Sequence, residues 1–104
     1  MQHSSVMVVT QAKAVFRIDT ETSNVTRASE EGSVARWHPS EQHKCLIGKQ
    51  DRIVLYSFKD KAIEHTYAIP DQEPYQIEWR SENIFICLTK SGQLHLFSQA
   101  ESTS

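Results

Sequence analysis

The residues able to carry chemistry in this 104-residue chain are five histidines, two cysteines, a set of serines and thirteen carboxylates. A zinc site needs His, Cys or carboxylate ligands at short, fixed spacings. His3, His38, His43, His65 and His95 form no HExxH motif and no Cys/His cluster, and Cys45 and Cys87 lie 42 residues apart with no CxxC pair. Nucleophilic catalysis needs a Ser or Cys oriented against a base, and the sequence has no GxSxG elbow. Its three glycines, Gly32, Gly48 and Gly92, build neither a GxGxxG turn nor a phosphate-binding loop. The acidic stretches DTETS, SEEG and PDQE hold neighbouring carboxylates, and their expected place is on solvated turns. The cysteines sit in the apolar runs KCLIG and IFICLT, which read as reduced thiols in a core. On these residues the chain is expected to be no enzyme and to hold no cofactor and no metal.

Charge narrows the partners. Eleven basic and thirteen acidic residues give a net charge of −2. Direct nucleic-acid binding usually leaves a cluster of Lys and Arg, and here the densest group is only Lys49, Arg52, Lys59 and Lys61. No direct sequence-specific nucleic-acid binding is expected. No apolar stretch approaches the roughly 20 residues of a membrane-spanning helix. The early run VMVV is too short for a signal-peptide core of about 7–15 residues. An intracellular protein without membrane association is the expectation.

The elements that must position these residues read as strands. No window keeps a helical spacing of apolar residues over three turns. Short β-rich runs recur instead, at 5–10, 14–18, 24–28, 33–37, 44–48, 52–58, 62–69, 75–79, 83–89 and 93–98, separated by polar turns. The tail 99–104 is polar. The segments VVTQAKAVFRI, LIGKQDRIVLY and CLTKSGQLHLF repeat a strand–turn–strand pattern. Ile18 to Tyr56 is 38 residues, Tyr56 to Phe97 is 41, and Trp37 to Trp79 is 42. A period near 40 with four short strands per unit is the mark of propeller blades. With strands lettered a to d from the axis outward, residues 5–28 supply b, c and d, residues 33–69 supply a to d, and residues 75–98 supply a, b and c. The expected fold is a single all-β domain over 5–98, a partial β-propeller of about two and a half blades. A compact two-layer β-sandwich binding a small ligand is the alternative.

The run RIVLYSF at 52–58 is apolar on both faces: Ile53 and Leu55 on one, Val54, Tyr56 and Phe58 on the other. Such a strand needs cover on both sides. Fewer than about four blades cannot close a ring. Two apolar sheet faces and unpaired strand edges are therefore expected to remain open. Further blades, from the same chain or from another, are the expected cover, and the chain is expected to be a fragment or shortened form of a longer protein.

These residues resemble the WD40 family. SVARWHPSEQHKCLIGKQDRIVLYSFKDKAIEHTY follows the outline of one WD40 unit, and the resemblance extends over nearly the whole chain. Ile18-Asp19, Tyr56-Ser57 and Phe97-Ser98 stand where the family puts Trp-Asp, and only Asp19 keeps the acid. The Gly-His dipeptide that opens a typical unit is absent. Within the family, 47–79 and 83–98 are similar to the WD40 subunit of the THO complex, which works in mRNA packaging and export. The resemblance implies a non-catalytic scaffold in a multiprotein assembly, with the nucleus favoured over the cytoplasm. WD40 subunits of nuclear-pore, ubiquitin-ligase or ciliary assemblies are the alternatives. It also implies that Lys49, Gln50, Asp51, Lys90 and Ser91 in the b–c turns share one rim with the loops at 29–33 and 70–74 and with Asp71, Glu73 and Tyr75, where protein partners dock. Trp37 and Trp79, at strand-a ends, are expected in the core.

Overall fold

The structure, a computed structural model, describes residues 5–98. The polar tail and His3 lie outside the described residues. Ten antiparallel strands account for the regular structure: β1 (Ser5–Val9), β2 (Ala14–Asp19), β3 (Val25–Glu31), β4 (Val34–Trp37), β5 (Lys44–Gly48), β6 (Arg52–Ser57), β7 (Ala62–Ala68), β8 (Pro74–Trp79), β9 (Ile84–Thr89) and β10 (Leu94–Ser98). They form three meanders, β1-β2-β3, β4-β5-β6-β7 and β8-β9-β10. The all-β expectation holds, strand for strand. The architecture is three-layered, so it is not the two-layer sandwich of the alternative.

Alternation along β5 and β6 explains the three layers. Side chains of a strand point alternately to opposite faces. Cys45, Ile47, Val54 and Tyr56, with Phe58 just beyond the strand, pack on Val15 and Ala28 of the first sheet. Leu46, Ile53 and Leu55 face the other way, onto Ile77, Phe85 and Cys87 of the third. Every one of these seven β5 and β6 side chains is at most 1% exposed. Full burial of such an aliphatic or aromatic side chain is worth about 1.5–3 kcal/mol. The middle sheet is therefore the common wall of two cores. Aromatic contacts tighten both: Tyr56 meets Phe58 edge-on at 5.1 Å, and Phe85 stacks on Phe97 at 5.1 Å.

The turns repeat as well as the strands. In the β1–β2 turn the Thr10 amide donates to the Ala14 carbonyl at 2.9 Å, and Thr10 Oγ1 accepts from the Ala14 amide at 3.1 Å. The β9–β10 turn copies this, with Thr89 N to Gln93 O at 2.9 Å and Gln93 N to Thr89 Oγ1 at 3.0 Å. Each turn has one left-handed residue, Lys13 at φ 69° and Gly92 at φ 91°. Glycine takes that conformation without steric cost, whereas Lys13 must be held there by its surroundings.

Two residues that the resemblance sets at the Trp-Asp position, Asp19 and Ser57, also act alike. Asp19 Oδ1 accepts from the amides of Glu21 and Thr22 at 2.8 and 3.2 Å. These two bonds hold its carboxyl below the usual aspartate value. Ser57 Oγ accepts from the Asp60 amide at 3.1 Å. Both side chains fold the turn that follows β2 or β6, and both turns close on a left-handed residue, Ser23 and Lys61.

One boundary differs from the sequence reading. Ser29–Glu31 read as loop, yet β3 runs to Glu31, which pairs with Ala14 beyond a bulge. The Ser29 amide donates to Tyr56 Oη at 3.0 Å, across the first interface. Tertiary partners thus extend a polar stretch that has no strand propensity of its own.

Candidate functional site

The β1–β2, β5–β6 and β9–β10 turns and the loops between sheets meet on one rim. Gly32, in the β3–β4 loop, donates its amide to the Lys13 carbonyl at 2.9 Å, and Ser33 donates to Gly48 O at 2.9 Å. One unit later the β7–β8 loop is held the same way. Ile69 N donates to Asp51 O at 2.9 Å, and Lys90 N donates to Glu73 O at 2.9 Å. Each inter-sheet loop is therefore fastened to a turn of the sheet before it and of the sheet after it. Gly32 is needed for that approach: a Cβ there would collide with Ile47 Cγ2 and stand 2.6 Å from the Gly48 oxygen.

On this fixed backbone sit charged side chains of both signs. A hollow of about 300 Å³ opens between Lys13, Glu31, Lys49, Asp51, Arg52 and Glu73. A neighbouring groove of about 510 Å³ runs along Gln50, Asp51, Asp71, Gln72 and Glu73. Lys49 Nζ pairs with Glu30 at 2.9 Å, Lys90 Nζ with Glu73 at 3.0 Å, and Arg52 with Asp51 at 3.0 Å. The Lys90 ammonium holds the Glu73 carboxyl below the ordinary glutamate value. The more exposed pairs, Arg52 with Asp51 and Lys90 with Glu73, contribute only about 0–1 kcal/mol each, whereas Lys49 and Glu30 are largely covered.

The structure gathers most of the residues singled out from the sequence. Gln50, Asp51, Asp71 and Glu73 line the groove, Lys49 lines the adjoining hollow, and Lys90 is tied to Glu73. Ser91 is turned back into its own turn, its Oγ 2.9 Å from Thr89 Oγ1. Tyr75 stands apart from the groove: it is 61% exposed and borders a separate hollow with Leu88, Lys90 and Gly92. The loop at 29–33, which carries Glu30 and Glu31, reaches this rim as the resemblance implies, whereas Lys13 and Arg52 are additions by the structure. The repeat alignment held the signal for one of them, since VVTQAKAVFRI laid on LIGKQDRIVLY sets Lys13 opposite Asp51.

The opposite end of the sheets has a different character. Trp37 and Trp79, expected in the core, are only half-buried and pack against its margins, Trp37 on the first core and Trp79 on the second. Arg36 Nη2 lies 2.6 Å from both carboxylate oxygens of Glu78, which keeps that carboxyl below its ordinary value. His38 is buried between them and the next loop. Its Nδ1 accepts from the amides of Ser40 and Glu41 at 3.1 and 3.0 Å, its Nε2–H donates to the Glu82 carbonyl at 3.0 Å, and its ring meets Trp79 edge-on at 4.6 Å. All of its ring nitrogens are used in holding two loops together, which is a structural role.

Among the described residues no group of three or more His, Cys, Asp or Glu side chains is placed to hold a metal ion. Both cysteines are free and buried, one in each core. Burial pushes the Cys45 thiol up to about 12 and raises that of Cys87, the opposite of what a nucleophilic thiolate needs. The arrangement is a mixed-charge rim whose loops are fastened to the turns by backbone hydrogen bonds. In comparison with known proteins, no family model matches the chain and no curated protein matches its sequence.

Proposed function

We propose that this chain is a non-catalytic, WD40-type interaction scaffold of partial-propeller form, working in a multiprotein assembly of nuclear mRNA processing and export. The observation that carries the reading is the convergence of turns from all three sheets on one rim, each backbone-bonded to its neighbours. A rim fixed in this way presents exposed side chains without the ordering cost that flexible loops incur on binding. The period near 40 and the three stacked meanders support the propeller form. The assignment to mRNA export rests on the sequence resemblance.

The test is affinity purification of the tagged chain from cells, wild type against an Asp51→Lys/Lys90→Glu variant. mRNA-export proteins are expected to co-purify with the wild type and to fall at least tenfold with the variant, while the melting temperature stays within a few degrees. The same proteins bound equally by both would remove the rim from the reading. Nuclear-pore, ubiquitin-ligase or ciliary components in their place would redirect the assembly.

A further inference from the structure

Strand register defines two kinds of sheet face in this molecule. The first kind is the middle sheet's face toward the third sheet. There Leu46 pairs with Leu55 and Gly48 with Ile53, and Leu46, Ile53 and Leu55 are 0%, 0% and 1% exposed. On the outer face of the third sheet Ile86 pairs with Leu96 and Leu88 with Leu94, one residue out of step with the middle sheet because the β9–β10 turn is longer, but the repeat lays QLHLF on RIVLY. Leu94 and Leu96 thus stand where Ile53 and Leu55 stand one unit earlier, yet they are 71% and 66% exposed.

The second kind is the middle sheet's face toward the first sheet. It pairs Cys45 with Tyr56 and Ile47 with Val54, all buried. The third sheet carries the same positions on its inner face, Phe85 with Phe97 and Cys87 with His95. On the first sheet these positions are Val6 with Ile18 and Val8 with Phe16. They lie on its outer face, where Val6 is 49% and Val8 39% exposed.

We propose that the outer face of the third sheet receives the outer face of the first sheet of a second copy, head to tail. Both interfaces inside the chain join a face of the first kind to a face of the second kind. One unpartnered face of each kind remains, and the middle sheet lies between them, so they cannot cover each other within one copy. A second copy supplies the complementary face, in the pairing of faces that the chain already uses twice. Contiguous apolar surface of this sort marks association sites on soluble proteins. The contact is heterologous, so it closes into a ring or continues to grow instead of stopping at a symmetric dimer. It does not use the loop rim, and so stands or falls separately from the scaffold reading.

Light scattering on the purified full chain tests this. The wild type is expected to rise in mass above the monomer with concentration. Leu94→Glu/Leu96→Glu and Val6→Glu/Val8→Glu variants are each expected to remain monomeric. All four positions are solvent-exposed, so cooperative melting should persist, and Gln replaces Glu in any variant that loses it. Mixed together, the two variants are expected to double in mass as a 1:1 complex, because each keeps the face that the other has lost. A wild type that stays monomeric, a variant that still assembles alone, or a mixture that stays monomeric would overturn the proposal.

Discussion

His38 shows how much a single side chain settles in this molecule. Its neutral ring accepts two amide hydrogens and donates one, joining the β4–β5 turn to the β8–β9 loop. Burial is the main cause that holds it below the ordinary histidine value of about 6.5. Bonding to the Glu82 carbonyl and the charges of Glu41 and Glu82 oppose that shift, and Lys44 adds to it. With the folded value depressed, the unfolded chain takes up the proton first as pH falls. The contribution of His38 is therefore full above about pH 6.5 and declines as pH drops below it. His38→Gln is expected to cost about 1–3 kcal/mol at pH 7.5, by leaving buried amides or the Glu82 carbonyl poorly paired. Its deficit against wild type should shrink between pH 6.5 and 5, measured by denaturant melts at each pH. A deficit that stays constant would remove the ring's protonation from the explanation.

At the scale of elements, the same local pattern has different energetic weight in different sheets. Leu55 and Leu96 occupy matching positions, paired with Leu46 and Ile86, but only Leu55 is covered on its face. Leu55→Ala should cost about 2–5 kcal/mol, as core truncations do. Leu96→Ala should change the stability of the monomer by no more than about 0.5 kcal/mol. Urea unfolding at low micromolar concentration, below association, compares the two. Gly32 belongs to the same scale: Gly32→Ala pushes a methyl into Ile47 and the Gly48 carbonyl, and overpacking of this kind costs about 1–3 kcal/mol. Because that loop carries the rim, the rim should loosen with it.

For the whole molecule, the middle sheet couples the two cores. Cys45 lies in one and Cys87 in the other, and both cores use β5 and β6 as a wall. Neither outer sheet can peel away without exposing residues on which the other side depends. Both thiols should therefore resist an aromatic disulfide reagent in native buffer and become reactive with one denaturant midpoint. Mass spectrometry of the labelled peptides would resolve them, and two separated midpoints would mean that the outer sheets unfold independently.

The positions of all ten strands were legible in the sequence, because alternation, turn residues and the period near 40 are local signals. The two-sided burial of RIVLYSF was legible for the same reason, since a strand apolar on both faces admits no other environment. So was the gathering of 49–51, 71–73 and 90 on one rim, once the repeat was aligned. Other features depend on partners distant in sequence. The extension of β3 to Glu31 follows from Ala14 and Tyr56, and the role of His38 follows from Glu82, 44 residues away. The ion pair of Lys49 with Glu30 forms only because the sheets stack. Above all, Leu55 and Leu96 read alike in the sequence, and only the stacking order makes one core and leaves the other on an open face. Strand formation is set by near neighbours, whereas burial is set by which layer arrives on top, and that is decided in three dimensions.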